Sequence, residues 1–443
     1  MEEKKSKVMS YEKVYTEKQQ KDSYDLWKLC FGDTREYMDN YFAWRLKENQ
    51  ILSLYSDEAM TSMIHLNPYP LILSGKEIQT NYIVGVATRP EYRKQGLMRK
   101  LLTKALEDMY EEGHEFTWLM PASDKIYLPF DFRYIYEQQR RKITINKDNA
   151  SVWSEEKESD VQAAAIRGLG NKEYQDKIDQ SDIYIKVLDS SNSKEITRLI
   201  SFVNKVLDKT QEIFAKRDEH YYKRLQADME SAGGNVLIVY NDKRIIGCVS
   251  YMLEGNYAEI TESVIRKKYT RQIVETVVKA IAAKWTDKKD SIKNDKNTDE
   301  VKDNLEITFL ESEFMDESVL DDFHFNGETK PIIMARIVNV PKFMKGITAK
   351  EPLSIIIKIE DPILDGNHNI WEFNFQNKIG ESYFCEISST DKIPEIVLDI
   401  GNFTEIFMGH KKITELEQNL SNDVLEKLKN IKFFHKIFLN EIV

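Results

Sequence analysis

Cysteine is scarce: Cys30, Cys248 and Cys385 are scattered, with no Cys-x-x-Cys pair. An odd number at unpaired spacing makes no disulfide framework, and a reducing compartment is expected. The seven histidines are dispersed, with no His-x-x-x-His and no cysteine beside them, so no metal site is expected. No apolar run is long enough to span a bilayer. Met1 to Gln20 is polar and charged and has no apolar segment of signal-peptide type. A cytoplasmic protein with no membrane partner is the expectation. Positive charge is also in deficit, since 63 Lys and Arg face 74 Asp and Glu for a net charge of −11. That argues against a general nucleic-acid binder, which needs a basic surface to displace counterions from phosphates. An acidic surface suits a cationic amine, because negative clefts concentrate cations; on net charge alone the preferred reading is that it only keeps the protein soluble.

The 443 residues exceed one hydrophobic core and call for two to four domains. Val14 to Cys30 and Thr34 to Lys47 read as helices. Ile51 to Tyr55, Met60 to Leu66 and Leu71 to Ser74 read as separate strands of an antiparallel meander, with Gly75 at a turn, and Thr80 to Thr88 as another strand. Leu97, Leu101, Ala105 and Met109 recur at four-residue spacing and predict an amphipathic helix over Gly96 to Tyr110. Phe116 to Met120 is a strand ended by Pro121. A β-rich start followed by β-α-β is a mixed α/β layout.

Beyond about Ala150 a similar order returns. Ile183 to Leu188 reads as a strand, Ser193 to Leu207 and Asp218 to Met229 as helices, and Asn235 to Leu253 as a hairpin around Asn241-Asp242. A helix follows over Tyr269 to Lys284. The pattern suggests a degenerate internal repeat, although the residues do not repeat. Asp287 to Asp303 is a dense charged run, expected as an exposed loop or an insertion without fixed structure. From about Pro341, strands at Leu353 to Glu360, Ile370 to Asn377 and Tyr383 to Ser388 precede helical segments near Ile400 to Phe407 and Ser421 to Leu428. The apolar residues Phe433, Phe434, Ile437, Phe438 and Leu439 predict a docked chain end.

The run that carries chemistry is Ile83 to Leu102. It reads as a strand, a break at Pro90, then Arg93-x-x-Gly96 opening a helix. A helix N-terminus exposes unpaired N–H groups and the positive end of the helix dipole, which together suit a pyrophosphate. Gly96 lets backbone approach a ligand, and Arg93, Lys94 and Arg99 add cationic partners. The plain alternative is a strand–loop–helix with a turn glycine and solvated basic residues. The run Ile83 to Leu102 holds no Gly-Lys-Ser/Thr and no Gly-x-Gly, so neither a P-loop nor a dinucleotide fingerprint fits it.

This run resembles the acetyl-CoA motif of the GNAT superfamily of N-acetyltransferases, in which Arg/Gln-x-x-Gly-x-Gly/Ala follows a strand. Arg93 and Gly96 match, and Met98 replaces the usual small third residue. Along its length the chain resembles the Eis (enhanced intracellular survival) type of acetyltransferase, also through Arg217-Asp218-Glu219-His220-Tyr221-Tyr222 and Met334-Ala335-Arg336-Ile337-Val338-Asn339-Val340. The resemblance implies an α/β (α+β) fold: tandem GNAT-like mixed-sheet domains plus a C-terminal sterol-carrier-like α+β domain. Expected boundaries are 1–149 for the catalytic domain, 150–338 for a degenerate GNAT-like domain and 339–443 for the last. It implies acetyl-CoA as cosubstrate, a cationic amine as acceptor (an aminoglycoside, a polyamine or a lysine side chain), and a homo-oligomer, with a hexamer as one form.

The resemblance also implies roles. Val86, Ala87 and Thr88 would bind the acetyl carbonyl and pantetheine through their backbone, and Arg93, Lys94, Gln95, Gly96, Leu97, Met98 and Arg99 the pyrophosphate. Ala122 and Ser123 match a third cofactor contact. Tyr127, in Ile126-Tyr127-Leu128-Pro129-Phe130-Asp131-Phe132, matches a general-acid tyrosine, with Asp131 where the family has glycine. The carboxylate of Val443 would be the general base, although the family commonly ends in an aromatic residue. The chemistry is consistent. Presenting a lysine-like amine neutral at pH 7 costs roughly 4–5 kcal/mol, so a proton acceptor is needed. The alternative is a non-catalytic acyl-CoA- or lipid-binding protein, motivated by Met98, Asp131 and the altered ending. No second cofactor site is expected, because the second region lacks Arg-x-x-Gly before its long helix. Asp39, Tyr41, Phe42 and Trp44 either border the substrate pocket or form a core stripe. The third region's strands either line a lipid cavity or form an ordinary sheet core.

Overall fold

The computed structural model describes residues 9–14, 16–56, 58–145, 183–293, 304–311, 313–323, 326–416 and 420–441. The first half comprises β1 (Met9–Lys13), α1 (Glu17–Cys30), α2 (Arg35–Arg45), β2 (Gln50–Ser56), β3 (Ala59–Leu73), β4 (Lys76–Thr88), α3 (Leu97–Glu112), β5 (Phe116–Leu119), α4 (Asp124–Tyr127) and β6 (Arg133–Ile145). Helix α1 starts where Thr16 and Gln19 form a reciprocal capping box. Helix α3 is bounded by Gly96 and Gly113, both left-handed, and buries Leu97, Leu101, Leu102, Ala105, Leu106 and Met109. That stripe packs on Leu52, Leu54, Ile64, Leu66 and Ile83 of the sheet. Each large aliphatic side chain, fully buried, contributes about 1.5–3 kcal/mol relative to leaving it exposed.

Strand β3 corrects the expected meander. Met60 to Leu66 and Leu71 to Leu73 belong to one strand, continuous through Pro68 and Pro70. Pairing with β2 ends at Gln50 opposite Leu66. The Pro70 carbonyl accepts from Lys216 N at 2.9 Å, on the side away from β4. The nitrogen of a strand residue points to the same side as its carbonyl, so the prolines withhold a donor only where β2 has already ended.

The second half holds β7 (Ile183–Val187), α5 (Ser193–Thr210), β8 (Ile213–Ala215), α6 (Glu219–Ser231), β9 (Asn235–Asn241), β10 (Arg244–Glu254), β11 (Tyr257–Ile265), α7 (Thr270–Lys293), β12 (Leu305–Glu311), α8 (Glu317–Asp322) and β13 (Asn326–Ile337). Apart from the short β8 between α5 and α6, both halves run strand, two helices, three antiparallel strands, a helix and a strand parallel to the one before that helix. Helix α7 continues through Lys293, so Asp287 to Lys293 extend the helix where a charged loop was expected; 294–303 lie outside the described residues.

The halves share one sheet, ordered β1-β2-β3-β4-β5-β13-β6-β12-β11-β10-β9-β7. Its centre is an exchange. β6 follows β5 in the chain but pairs with β12, while β13 follows β12 but pairs with β5. The two exchanged strands also pair with each other. Strand Asn326–Ile337 therefore completes the sheet of the first half.

The third region contains α9 (Val340–Met344), β14 (Thr348–Ala349), β15 (Leu353–Glu360), β16 (Asn369–Ile379), β17 (Ser382–Ser389), β18 (Ile396–Asp399), α10 (Ile400–Phe407), α11 (Asn422–Asn430), β19 (Ile431–Lys432) and β20 (Ile437–Phe438). A six-stranded sheet, β18-β15-β16-β17-β14-β19, buries Ile355, Ile357, Phe373 and Phe375 against Phe403 and Phe407 of α10. Strand β20 leaves this region and pairs in parallel with β8, which pairs with the end of β3. The apolar chain end is docked, with Phe434, Phe438 and Leu439 buried.

Candidate active site

Strands β4 and β5 touch in register only at Tyr82 opposite Trp118 and then part. The cause lies in β4. Met63 faces Ala87 and His65 faces Val84, so Gly85 and Val86 share a gap that one β3 residue spans. Gly85 has φ +60°, and a Cβ there would lie 2.5 Å from Cζ3 of Trp27. Only glycine fits this bulge, which bends the strand and re-aims the backbone of Val86, Ala87 and Thr88. Ser62 Oγ donates to the Ala87 carbonyl at 2.8 Å and Arg93 Nε to the Thr88 carbonyl at 3.1 Å, fixing that stretch.

After Thr88 the chain makes a 3-10 turn at Pro90–Tyr92 and reaches α3 through Lys94 at φ +62° and Gly96 at φ +77°. No side chain caps the helix, and the first bond within it runs from Lys100 N to the Gly96 carbonyl. The N–H groups of the opening turn are therefore left for a ligand. Arg93, Lys94, Gln95 and Arg99 are exposed around them. Met98, the departure from the motif, packs on the apolar cluster beneath α3. Arg99 lays its guanidinium 4.8 Å over the Phe130 ring.

Ala122 and Ser123 follow the end of β5, the other arm of the fork, and lead into α4. Tyr127 ends α4 and is buried in the same apolar cluster as Leu97, Phe130 and Phe132, against which Val86 and Met98 also pack. Burial pushes its hydroxyl up to about 12. Asp131 takes φ +62°, the left-handed conformation that a glycine adopts freely and aspartate tolerates. Arg133 Nη1 donates to the carbonyls of Leu128 at 3.3 Å and Phe132 at 2.9 Å and steadies this turn. Val443 lies outside the described residues.

A buried ionic cluster was not foreseen. Arg217 donates from Nη1 to Glu441 Oε1 at 2.8 Å and from Nη2 to Glu262 Oε2 at 2.6 Å. Burial alone would push its guanidinium down, but the Glu262 carboxylate, Tyr221 and Glu441 around it hold it well above its ordinary value. Burial raises the Glu262 carboxyl despite Arg217 beside it. Glu262 Oε1 and Glu441 Oε2 have no hydrogen-bond partner among the described residues. Both residues line a cleft with Tyr69, Tyr221, Asp228 and Ser250. Tyr69 packs 5.9 Å from Tyr82, which in turn sits 4.5 Å from Trp118, so the cleft adjoins the point where β4 and β5 part. The only hint in sequence was the run beginning at Arg217. Of the aromatic group on α2, Tyr41 and Phe42 are core residues packed with Trp27 and His65, and Trp44 meets His220 edge-on at 5.9 Å.

Two family comparisons agree with this geometry. Residues 13–135 match the acetyltransferase (GNAT) domain, and residues 340–421 the sterol carrier protein domain. Solved structures align over 98% of this chain and the whole of theirs. They include a conserved protein of unknown function from Enterococcus faecalis V583, a probable N-acyltransferase (18% identity, TM-score 0.70), and a GCN5-related N-acetyltransferase from Anabaena variabilis (15%, 0.68). Eis1 from Mycobacterium abscessus aligns over the same shares, at 12% identity and TM-score 0.61. No curated protein matches the chain. The chain carries an acetyltransferase domain of the GNAT class over residues 13–135, which makes it an acyltransferase. It carries its acetyltransferase domain at the N-terminal end and a sterol carrier protein domain near the C-terminal end, in the whole-chain fold that Eis1 shares. GNAT domains use acetyl-CoA as cosubstrate.

Proposed function

We propose that the protein transfers acetyl from acetyl-CoA to a primary amine of a small or peptidic cationic substrate. The observation that carries this is the fork. Beside it lies a backbone bulge at Gly85–Val86 and a left-handed loop that opens an uncapped helix N-terminus. This set fits a thioester with a pyrophosphate handle: Val86–Thr88 and Ala122–Ser123 hold the acyl arm, and Arg93–Arg99 hold the phosphates. When bound, acetyl-CoA supplies the acetyl group, whose C–S bond breaks as the new C–N bond forms.

The remaining work belongs to side chains. The Tyr127 hydroxyl stays protonated at any working pH and donates to the departing sulfur. Against a thiol near 8.5, a phenol at about 12 leaves roughly 5 kcal/mol for complete proton transfer. Its first contribution is therefore a hydrogen bond to developing charge, with the proton following. The carboxylate of Val443 takes the proton from the amine. In the cleft, Arg217 and Arg224 offset charge on Asp228, Glu262 and Glu441, and Glu262 Oε1 and Glu441 Oε2 are the acceptors left to receive the N–H groups of an amine such as a polyamine, an aminoglycoside or a lysine peptide. The units 1–149 and 150–338 then supply the acetyl site and the Asp228 and Glu262 carboxylates, and 339–443 adds Glu441 to that cleft and brings in the chain end.

CoA release is measured with acetyl-CoA against polyamines, lysine peptides and aminoglycosides. Turnover on at least one of these is expected. CoA binding without turnover on any amine would return the protein to the acyl-CoA- or lipid-binding reading.

A further inference from the structure

The segment Met334 to Val340 stood out in the sequence without a chemical role, and Arg336 at its centre is fully buried. Arg336 Nε donates to the Phe130 carbonyl at 2.8 Å, Nη1 to the Ile337 carbonyl at 3.2 Å, and Nη2 to Asp361 Oδ1 at 2.6 Å. Asp361 lies just past β15, in the third region, and is itself held. Its Oδ1 accepts from the N–H groups of Ile363 and Leu364, and its Oδ2 from Asn367 Nδ2, all at 3.0 Å. Asn367 reaches back to the Val338 carbonyl at 2.8 Å and accepts from Val340 N at 3.0 Å. The carboxylate is thus fixed through both of its oxygens.

The other end of this chain of contacts is the turn that carries Tyr127. Phe130 is the third residue after it, and Phe132 N closes on the Tyr127 carbonyl at 3.4 Å. A four-residue helix such as α4 has little stability of its own, because so short a helix barely passes nucleation. Its end must be held from outside. The Arg336 guanidinium, anchored in another domain, does so by a charge-assisted bond to the Phe130 carbonyl.

We propose that Arg336 is a positioning residue for Tyr127, and that the sterol-carrier-like domain, through Asp361, sets the place of the general acid. This rests on the acid role given to Tyr127 above. Misplacement of a reacting group by about 1 Å can cost on the order of 100-fold in rate.

The full-length variants Arg336→Lys, Asp361→Asn and Tyr127→Phe, and each of the first two combined with the third, are compared by kcat, by CoA affinity and by circular dichroism on heating. Arg336→Lys and Asp361→Asn are expected to lower kcat about 10- to 100-fold with CoA affinity kept within about twofold. Tyr127→Phe is expected to lower kcat at least about 100-fold, and adding either partner change to it should cost less than about threefold more. Losses that multiply fully, or CoA affinity falling in step with kcat, would overturn the positioning role. If Tyr127→Phe loses kcat while both partner variants keep it, only this inference fails. If Tyr127→Phe itself keeps kcat, the acid role fails, and this inference with it. Asp361→Asn is nearly isosteric and serves alone should Arg336→Lys not fold.

Discussion

At the scale of single residues, His65 shows what burial does to a side chain whose sequence position says nothing. It is fully buried against Trp27 and the Gly85 bulge, with its Nδ1 3.0 Å from the Tyr41 hydroxyl. Burial lowers its pKa to about 3. A folded-state value below the unfolded one means that the unfolded chain binds the proton more readily, so stability falls as pH drops below about 6.5. At pH 5 the expected loss is about 2 kcal/mol. Urea unfolding of wild type and His65→Gln at pH 7.5 and pH 5 tests this; equal pH sensitivity in the two would refute it. In the sequence His65 is one of seven dispersed histidines, with no pattern that marks it. Its lattice of partners, Tyr41 and Trp27 on two helices and Gly85 on another strand, comes from tertiary packing that local pattern does not encode.

At the scale of elements, the loop before α3 was legible because its signals are local: a strand, a proline, an Arg-x-x-Gly and a four-residue apolar period. Gly96 takes φ +77° with open space where a Cβ would stand, so a side chain there meets only conformational cost. Gly96→Ala should cost roughly 1–2 kcal/mol in the left-handed conformation. CoA affinity should fall by about tenfold if the helix-opening N–H groups shift with it. Calorimetric titration with CoA reads this, and unchanged affinity would remove Gly96 from the site. β3 was not legible. Proline usually ends a strand in sequence reading, and only the early end of β2 makes Pro68 and Pro70 harmless. The same holds for β13, whose place between β5 and β6 depends on a crossing of the two halves that no local pattern records.

At the scale of the whole molecule, Arg217 joins the second half to Glu441 across 224 positions. Arg217→Met leaves Glu262 and Glu441 buried without their cation, a loss of about 3–5 kcal/mol. Hydrogen exchange at Ile437 to Glu441 should then rise well above that of β3, while the opening of α3 keeps its protection; a uniform rise would mean general unfolding instead. The base role proposed for the carboxylate of Val443 has a test of its own. Residues added after Val443 should lower kcat, because they turn that carboxylate into an amide; full activity in such a protein would move the base elsewhere.

The exchanged strands at the centre of the large sheet also bear on how the protein is made. β5 is finished at Leu119, but its neighbour β13 ends at Ile337. At ordinary synthesis rates the ribosome takes on the order of ten to forty seconds to cover that distance. For that time the nascent first half presents an open strand edge, and the acetyl fork beside it cannot be completed until most of the second half has emerged.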